Sequence, residues 1–382
     1  MVDILAVILG ALGIFAVLWE TFETIVLPRR VTRQFRMTRL FYRWTWVPWR
    51  ALAALRGSKK KRDAMLSYYG PLSLLMLFAF WGVSLLFSFA LIHYGDGARL
   101  SGAVTASRFG SALYLSGTTL FTLGLGDITP ATGLGRFVTV CEAGLGFGFL
   151  ALVIGYLPVL YQSFSRREVT ISLLDARAGS PPTAFELLRR NTGSVTDSFE
   201  ELTGVLSHWE NWAAELMESH LSYPVLAYFR SQHDNQSWIG ALTAILDVCA
   251  LAMVGLEGMC QYQARMTFAI ARHALVDLSQ VFGAAPDKDG ADGRLSQEDL
   301  ALIRRELSTA GIRVPDNSAA DEELTRLRGL YEPYAIALAR HLVLELPPWI
   351  KHGVAKDNWQ TTAWARRHTE PRTHHAAADE HF

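Results

Sequence analysis

The chain has 382 residues, 50% of them hydrophobic and 19% charged, where ordinary soluble domains carry roughly a quarter charged. Its apolar residues gather in long uninterrupted runs, which disfavours a wholly cytosolic protein. Lysine plus arginine equals aspartate plus glutamate at 36 each, so net charge points to neither a nucleic-acid partner nor an acidic substrate. Cys141, Cys249 and Cys260 form no CxxC pair and are too few for a disulfide framework or a structural zinc site. A reduced environment is implied for the last two.

Residues 4–19 carry no charge, and apolar character continues past Glu20 and Glu23 to Leu27, long enough for a first spanning helix over 1–27. No basic leading region or small-x-small site precedes Arg29 and Arg30, so a spanning helix is expected rather than a cleaved leader. Glu20 and Glu23 need neutralising partners, for which Arg29 or Arg30 is nearest. The linker 28–67 is basic and aromatic. Arg30, Arg33, Arg36 and Arg39 recur every third residue, but a single span precedes them and Pro28 separates them from it. With Trp44, Trp46 and Trp49 they read as an interfacial segment against anionic lipid head groups, not a voltage sensor.

Residues 72–92 lack charge altogether and 137–161 hold Glu142 alone, so both pass as spanning helices. Twelve lysines and arginines lie in 28–64 against three in 95–136. By that asymmetry the first loop is cytoplasmic, the amino terminus lies outside, and everything from Ser163 onward is cytoplasmic. Residues 238–256 carry only Asp247. They are expected as a buried helix of a soluble bundle, since a charge at mid-bilayer is costly and a fourth span would move the basic carboxy-terminal third outside.

Between the second and third spans, residues 111–127 read SALYLSGTTLFTLGLGD. An apolar helix over 111–121 is too short to cross a bilayer, so it must enter and return on one side. The stretch 122–127 is then backbone at membrane depth, which survives only enclosed by protein or lining water. Its alternating glycines accept positive φ and let successive carbonyls face one way.

This succession of span, short helix, T-L-G-L-G-D and span resembles the potassium-channel pore-domain family, whose common filter reads T-V-G-Y-G-D. The resemblance covers 68–163. It implies a filter whose ion-coordinating groups are the carbonyls of Thr122, Leu123, Gly124 and Leu125, with the Thr122 hydroxyl at the inner end. It also implies that Gly126 and Asp127 support the mouth. Leu125 departs from the family's usual aromatic residue, so the hydroxyl that ties the filter to its surroundings is missing. Glu142, in the outer part of the third span, is expected to brace the filter from behind through the pore helix. Gly144, Gly146 and Gly148 stand where the family often has its hinge, and Pro158 is expected to kink the third span near its cytoplasmic end. One filter strand per chain cannot enclose an ion, so a homotetramer follows.

From Ser163 onward the apolar periodicity is helical, giving a cytoplasmic domain over 164–350 and a polar tail over 351–382 that reads as disordered. The loop with Asp287, Asp289, Asp292 and Asp299 resembles a calcium-binding loop with one residue too many. A capped helix beginning at Ser296, with Asp299 closing the box, competes with that reading. His273 and Asp277 read as a polar pair on one helix face. No nucleotide-binding glycine motif, nucleophile elbow or metal-ligating helix is present, so no enzyme is expected and no cofactor is called for.

The expectation is an all-α membrane protein with three spans, a re-entrant pore helix and filter, and a helical cytoplasmic domain. In function it would be a tetrameric, potassium-channel-like cation channel of an inner (plasma) membrane, partnered by K⁺, anionic lipid and its own copies. Two alternatives stand beside it: a weakly selective monovalent cation pore, because of Leu125, and a membrane-tethered receptor or scaffold with an inactive pore.

Overall fold

The computed structural model describes residues 3–27, 37–96, 100–102, 107–191, 198–233, 235–256, 261–287, 293–353 and 357. The chain divides into two units, residues 1–165 with 218–230, and residues 166–217 with 231–382.

In the first unit, α1 (Ile4–Thr21) is capped by Asp3, whose side chain accepts from the Ala6 amide. It closes in a π-helical turn, Phe22–Val26. α2 (Met37–Ala54) and α3 (Lys59–Ser67) fill the basic linker, and α4 (Tyr69–Gly95) is the second apolar helix. α1 lies close against α4 through small residues. A Cβ on Gly10 would fall 2.5 Å from the Ser88 carbonyl, and one on Gly95 2.7 Å from the Asp3 carbonyl, the packing that apolar helices use in a bilayer. Glu20 accepts from the Thr38 amide at 2.9 Å and Glu23 from the Trp19 indole at 2.8 Å. The carboxylate of Glu20 thus sits at the amino-terminal end of α2, where orphan amides and the dipole favour an anion. Arg29 and Arg30, expected as the partners, lie outside the described residues, as do Arg33 and Arg36.

β1 (Leu100–Gly102) pairs antiparallel with β2 (Ile128–Pro130), Ser101 opposite Thr129. This ribbon departs from the all-α expectation, because three residues either side of a helix and loop are too short to show periodicity. Between the strands lies α5 (Arg108–Leu120), and after them α6 (Gly133–Ala178), a 46-residue helix that runs on past the span expected at 137–161. Pro158 lies inside it, and helical structure continues on both sides. A proline deletes a single ladder bond and need not end a helix.

The core of this unit joins Val17 of α1 to Leu77, Phe78, Trp81 and Leu85 of α4 and to Tyr156, Leu160 and Phe164 of α6. Val225 and Leu226 belong to the same core. They come from a 3₁₀ turn, Pro224–Tyr228, that lies far along the chain after α8 (Ser198–Ser222). Its Tyr228 stacks on Tyr42 with ring centroids 5.6 Å apart, Tyr223 meets Tyr156 edge-on at 5.5 Å, and Phe229 meets Phe164 at 5.5 Å. Sequence reading placed this segment in the cytoplasmic domain of 164–350.

The second unit contains α7 (Ala184–Arg190), α9 (Trp238–Gly255), α10 (Gln261–Phe282), α11 (Gln297–Thr309), α12 (Ser318–Gly329) and α13 (Glu332–Leu342). α9, apolar enough to cross a membrane, has α7, α10, α12 and α13 packed on it, and its residues 238–252 are all buried. Asp247 is fully buried and paired with Arg294 at 2.7 Å; Arg294 also reaches Glu332 at 2.7 Å. A charge so enclosed and matched belongs in a protein core. Asp357, inside the tail expected as disordered, is buried and bonded to Arg190 at 2.7 Å and to the Ser180 amide at 2.9 Å. Residues 358–382 lie outside the described residues.

Candidate functional site

α5 starts at Arg108, three residues before the expected 111, because Ser107 in extended geometry accepts from the Gly110 amide at 3.0 Å. It ends at Leu120. The next turn is held by the Leu123 and Gly124 amides, which both donate to the Thr118 carbonyl at 2.8 and 3.0 Å. From there φ is positive at every second residue, 58° at Thr122, 57° at Gly124 and 77° at Gly126. Glycine takes this conformation at no steric cost, whereas β-branched Thr122 does not, at a strain of order 1–3 kcal/mol. Residues 121–127 are thus non-helical and in the alternating backbone their glycines suggested.

All of 121–127 is exposed in the single chain, with Leu123 at 64% and Leu125 at 63%. Asp127 at the far end is held from below, since Tyr114 Oη on α5 donates to Asp127 Oδ2 at 2.8 Å. Leu125 brings no hydroxyl to the loop, and Tyr114 supplies one from α5. Sequence reading missed it because the match depends on the phase of α5 against the returning loop, which spacing does not fix.

Behind the loop, Glu142 of α6 is fully buried. Its Oε2 lies 3.0 Å from His93 Nε2 of α4, and Ser116 Oγ of α5 donates to its Oε1 while lying 3.0 Å from the Leu86 carbonyl. One carboxylate therefore ties the two long helices to the short one. Only Glu142 stood out in the sequence, as a charge in an apolar run; His93 and Ser116 are ordinary residues until packing brings them together.

The glycines of α6 separate by environment. A Cβ on Gly146 would sit 2.1 Å from the Leu120 carbonyl, at the carboxy-terminal end of α5, while Gly144 and Gly148 face open space. Gly146 thus permits close approach of α6 to α5.

The calcium-like loop is only partly visible, Asp289 and Asp292 lying outside the described residues. Asp287 pairs with Arg340, and Asp299 lies 2.8 Å from His352. Ser296 caps α11 by accepting from the Asp299 amide at 3.0 Å. His273 and Asp277 lie 3.5 Å apart on one face of α10. Among the described residues no group of three or more histidine, cysteine or acidic side chains is placed to hold a metal. Cys249 is buried and Cys141 exposed.

Residues 74–162 match the family model described as "Ion channel", so the resemblance read from the T-L-G-L-G-D context holds over this segment. An uncharacterized membrane protein, YdjJ, of Bacillus subtilis (strain 168) is 27% identical over 231 residues, 59% of this chain and 63% of the relative. Protein LctB of Geobacillus stearothermophilus is 33% identical over 84 residues, 19% of this chain and 62% of the relative. The LctB of Bacillus caldotenax is 32% identical over 84 residues. The chain spans less than two thirds of the length of each of these relatives. No solved structure matches.

Proposed function

We infer that this membrane protein, whose residues 74–162 match the ion channel family, is one subunit of a homotetrameric, potassium-channel-like cation channel. It would carry three spans and a re-entrant loop in an inner (plasma) membrane. The observation that carries this reading is the alternation of positive φ at Thr122, Gly124 and Gly126 on a loop delivered by a helix too short to cross. Carbonyls of Thr122, Leu123, Gly124 and Leu125 would replace a cation's water shell, and ions would pass passively down their gradient.

Four copies are required because one strand cannot surround an ion. Exposed apolar residues support such burial by further copies: Phe121, Leu123 and Leu125 on the loop, and Phe147, Leu150 and Ile154 on α6. The cytoplasmic placement of the second unit rests on the twelve-to-three count of basic residues in the flanking loops. Regulation by that unit is supported by chain continuity: α8 begins in the second unit and leads into the Pro224–Tyr228 turn, which belongs to the first unit and gives Val225 and Leu226 to its core.

Reconstituted full-length protein should pass K⁺ faster than Na⁺, barium should block the flux, and Gly124→Ala should abolish it while the protein still folds. Equal K⁺ and Na⁺ permeability would favour the weakly selective pore that Leu125 suggests. Absence of flux from well-folded tetramer would favour the scaffold reading.

A further inference from the structure

At the amino-terminal end of α4 the first unit carries a groove of about 730 Å³, within the range of small-molecule sites. Its two charged lining residues are both cations, Arg56 from the turn after α2 and Lys61 from α3, and no carboxylate lines it. Among the described residues neither cation is in an ion pair; Arg56 Nε rests 3.5 Å from the Met65 sulfur, an acceptor without charge.

The rest of the groove wall is apolar. Tyr68 and Trp49 line it together with Leu72 and Leu75 of α4, which are 38% and 57% exposed on a helix that spans the membrane in the proposed reading. Tyr68 and Leu75 are seven residues apart, about 10 Å along a helix, roughly the step from a phosphate to the upper acyl chain. The walls are fixed relative to each other, because the Trp49 indole donates to the Met65 carbonyl at 3.2 Å and packs on Tyr69.

We propose that this groove holds one anionic glycerophospholipid, its phosphate between Arg56 and Lys61 and an acyl chain along Leu72 and Leu75. Charge complementarity selects an anion, and the apolar wall selects an amphiphile over a free phosphate, which would meet only the two cations. The aromatic pair suits the interface, where rings with one polar edge settle. The site depends on α4 lying in a bilayer but not on ion conduction, so its test is independent of flux.

Full-length protein in detergent is titrated with palmitoyl-oleoyl phosphatidylglycerol, with the phosphatidylcholine analogue and with inorganic phosphate, and bound lipid is counted by native mass spectrometry. Phosphatidylglycerol should bind tightly, with phosphatidylcholine weaker and phosphate unable to displace it. Arg56→Gln with Lys61→Gln should weaken phosphatidylglycerol by roughly 25-fold, two basic residues' worth at a membrane surface. Lys59→Gln with Lys60→Gln removes equal charge outside the groove lining and should leave binding within about twofold. Equal loss in both double variants would overturn the proposal in favour of diffuse attraction. Displacement by phosphate, equal binding of the two lipids, or no tight binding to folded protein would overturn it as well. All four positions are exposed, and unchanged thermal unfolding would confirm that the variants fold.

Discussion

Glu142 concentrates three helices on two oxygen atoms, so its loss exposes how much the site depends on buried hydrogen bonds. Glu142→Ala strands the enclosed His93 imidazole, at about 1–3 kcal/mol, while the Ser116 hydroxyl falls back on the Leu86 carbonyl. Thermal unfolding of the solubilised protein should show a clear loss for Glu142→Ala and a smaller one for Glu142→Gln, which keeps an acceptor for Ser116. Tyr114→Phe removes one partly solvated bond to Asp127, so stability should fall by only about 1 kcal/mol, while in the proposed channel K⁺ over Na⁺ discrimination in a flux assay should worsen. Outside the membrane segments, burial alone would raise the Asp357 carboxyl, but Arg190, the Ser180 amide and Lys351 together hold it below the ordinary value. A depressed carboxylate contributes stability above its unfolded value near 3.9, and that contribution disappears as pH falls through the lower folded value. Denaturant midpoints followed by tryptophan fluorescence should therefore drop below about pH 4, and Asp357→Asn should flatten the drop. The alternating backbone of 122–126 was legible because glycines at fixed spacing state a backbone requirement directly. Its supports were not, since a histidine and a tyrosine on neighbouring helices acquire a role only from how those helices approach.

At the level of elements, the long apolar helices followed from length and lack of charge, while their ends and contacts did not. α6 was expected to stop near 161 and reaches Ala178, because helical periodicity continues when apolar residues give way to amphipathic ones. The Pro224–Tyr228 turn escaped notice for the opposite reason: Tyr223 to Phe229 is too short and irregular to display a period. Its energetic weight is nonetheless large. Leu226 is 0% exposed, so Leu226→Ala should cost about 2–5 kcal/mol. Gly70→Ala is the reciprocal test, since its Cβ would come 2.7 Å from the Phe229 ring. Both variants should unfold earlier in a thermal scan, and an unchanged melting temperature in either would show that the turn is not seated on α4.

For the whole molecule, the decisive ambiguity in the sequence was α9, whose composition fits a membrane as well as a protein interior. In the second unit its one charge, Asp247, is matched by Arg294, 47 residues away, which also holds Glu332, a pairing no sequence pattern announces. Arg294→Ala leaves the buried Asp247 with the Tyr331 hydroxyl but without its cation, while Glu332 keeps Arg328, and should cost about 3–5 kcal/mol, read as a lowered denaturant midpoint, with Arg294→Lys intermediate.

The turn that follows α8 also bears on how the protein can be dissected. A fragment ending at residue 165 would discard the second unit and, with it, Val225 and Leu226 of the first unit's core, and would uncover the rings of Tyr42, Tyr156 and Phe164 on which Tyr228, Tyr223 and Phe229 rest. Silence from so shortened a protein would report a damaged interior and not a missing regulator. A faithful minimal version must carry 218–230 back to its seat, by an added linker or as a separate peptide.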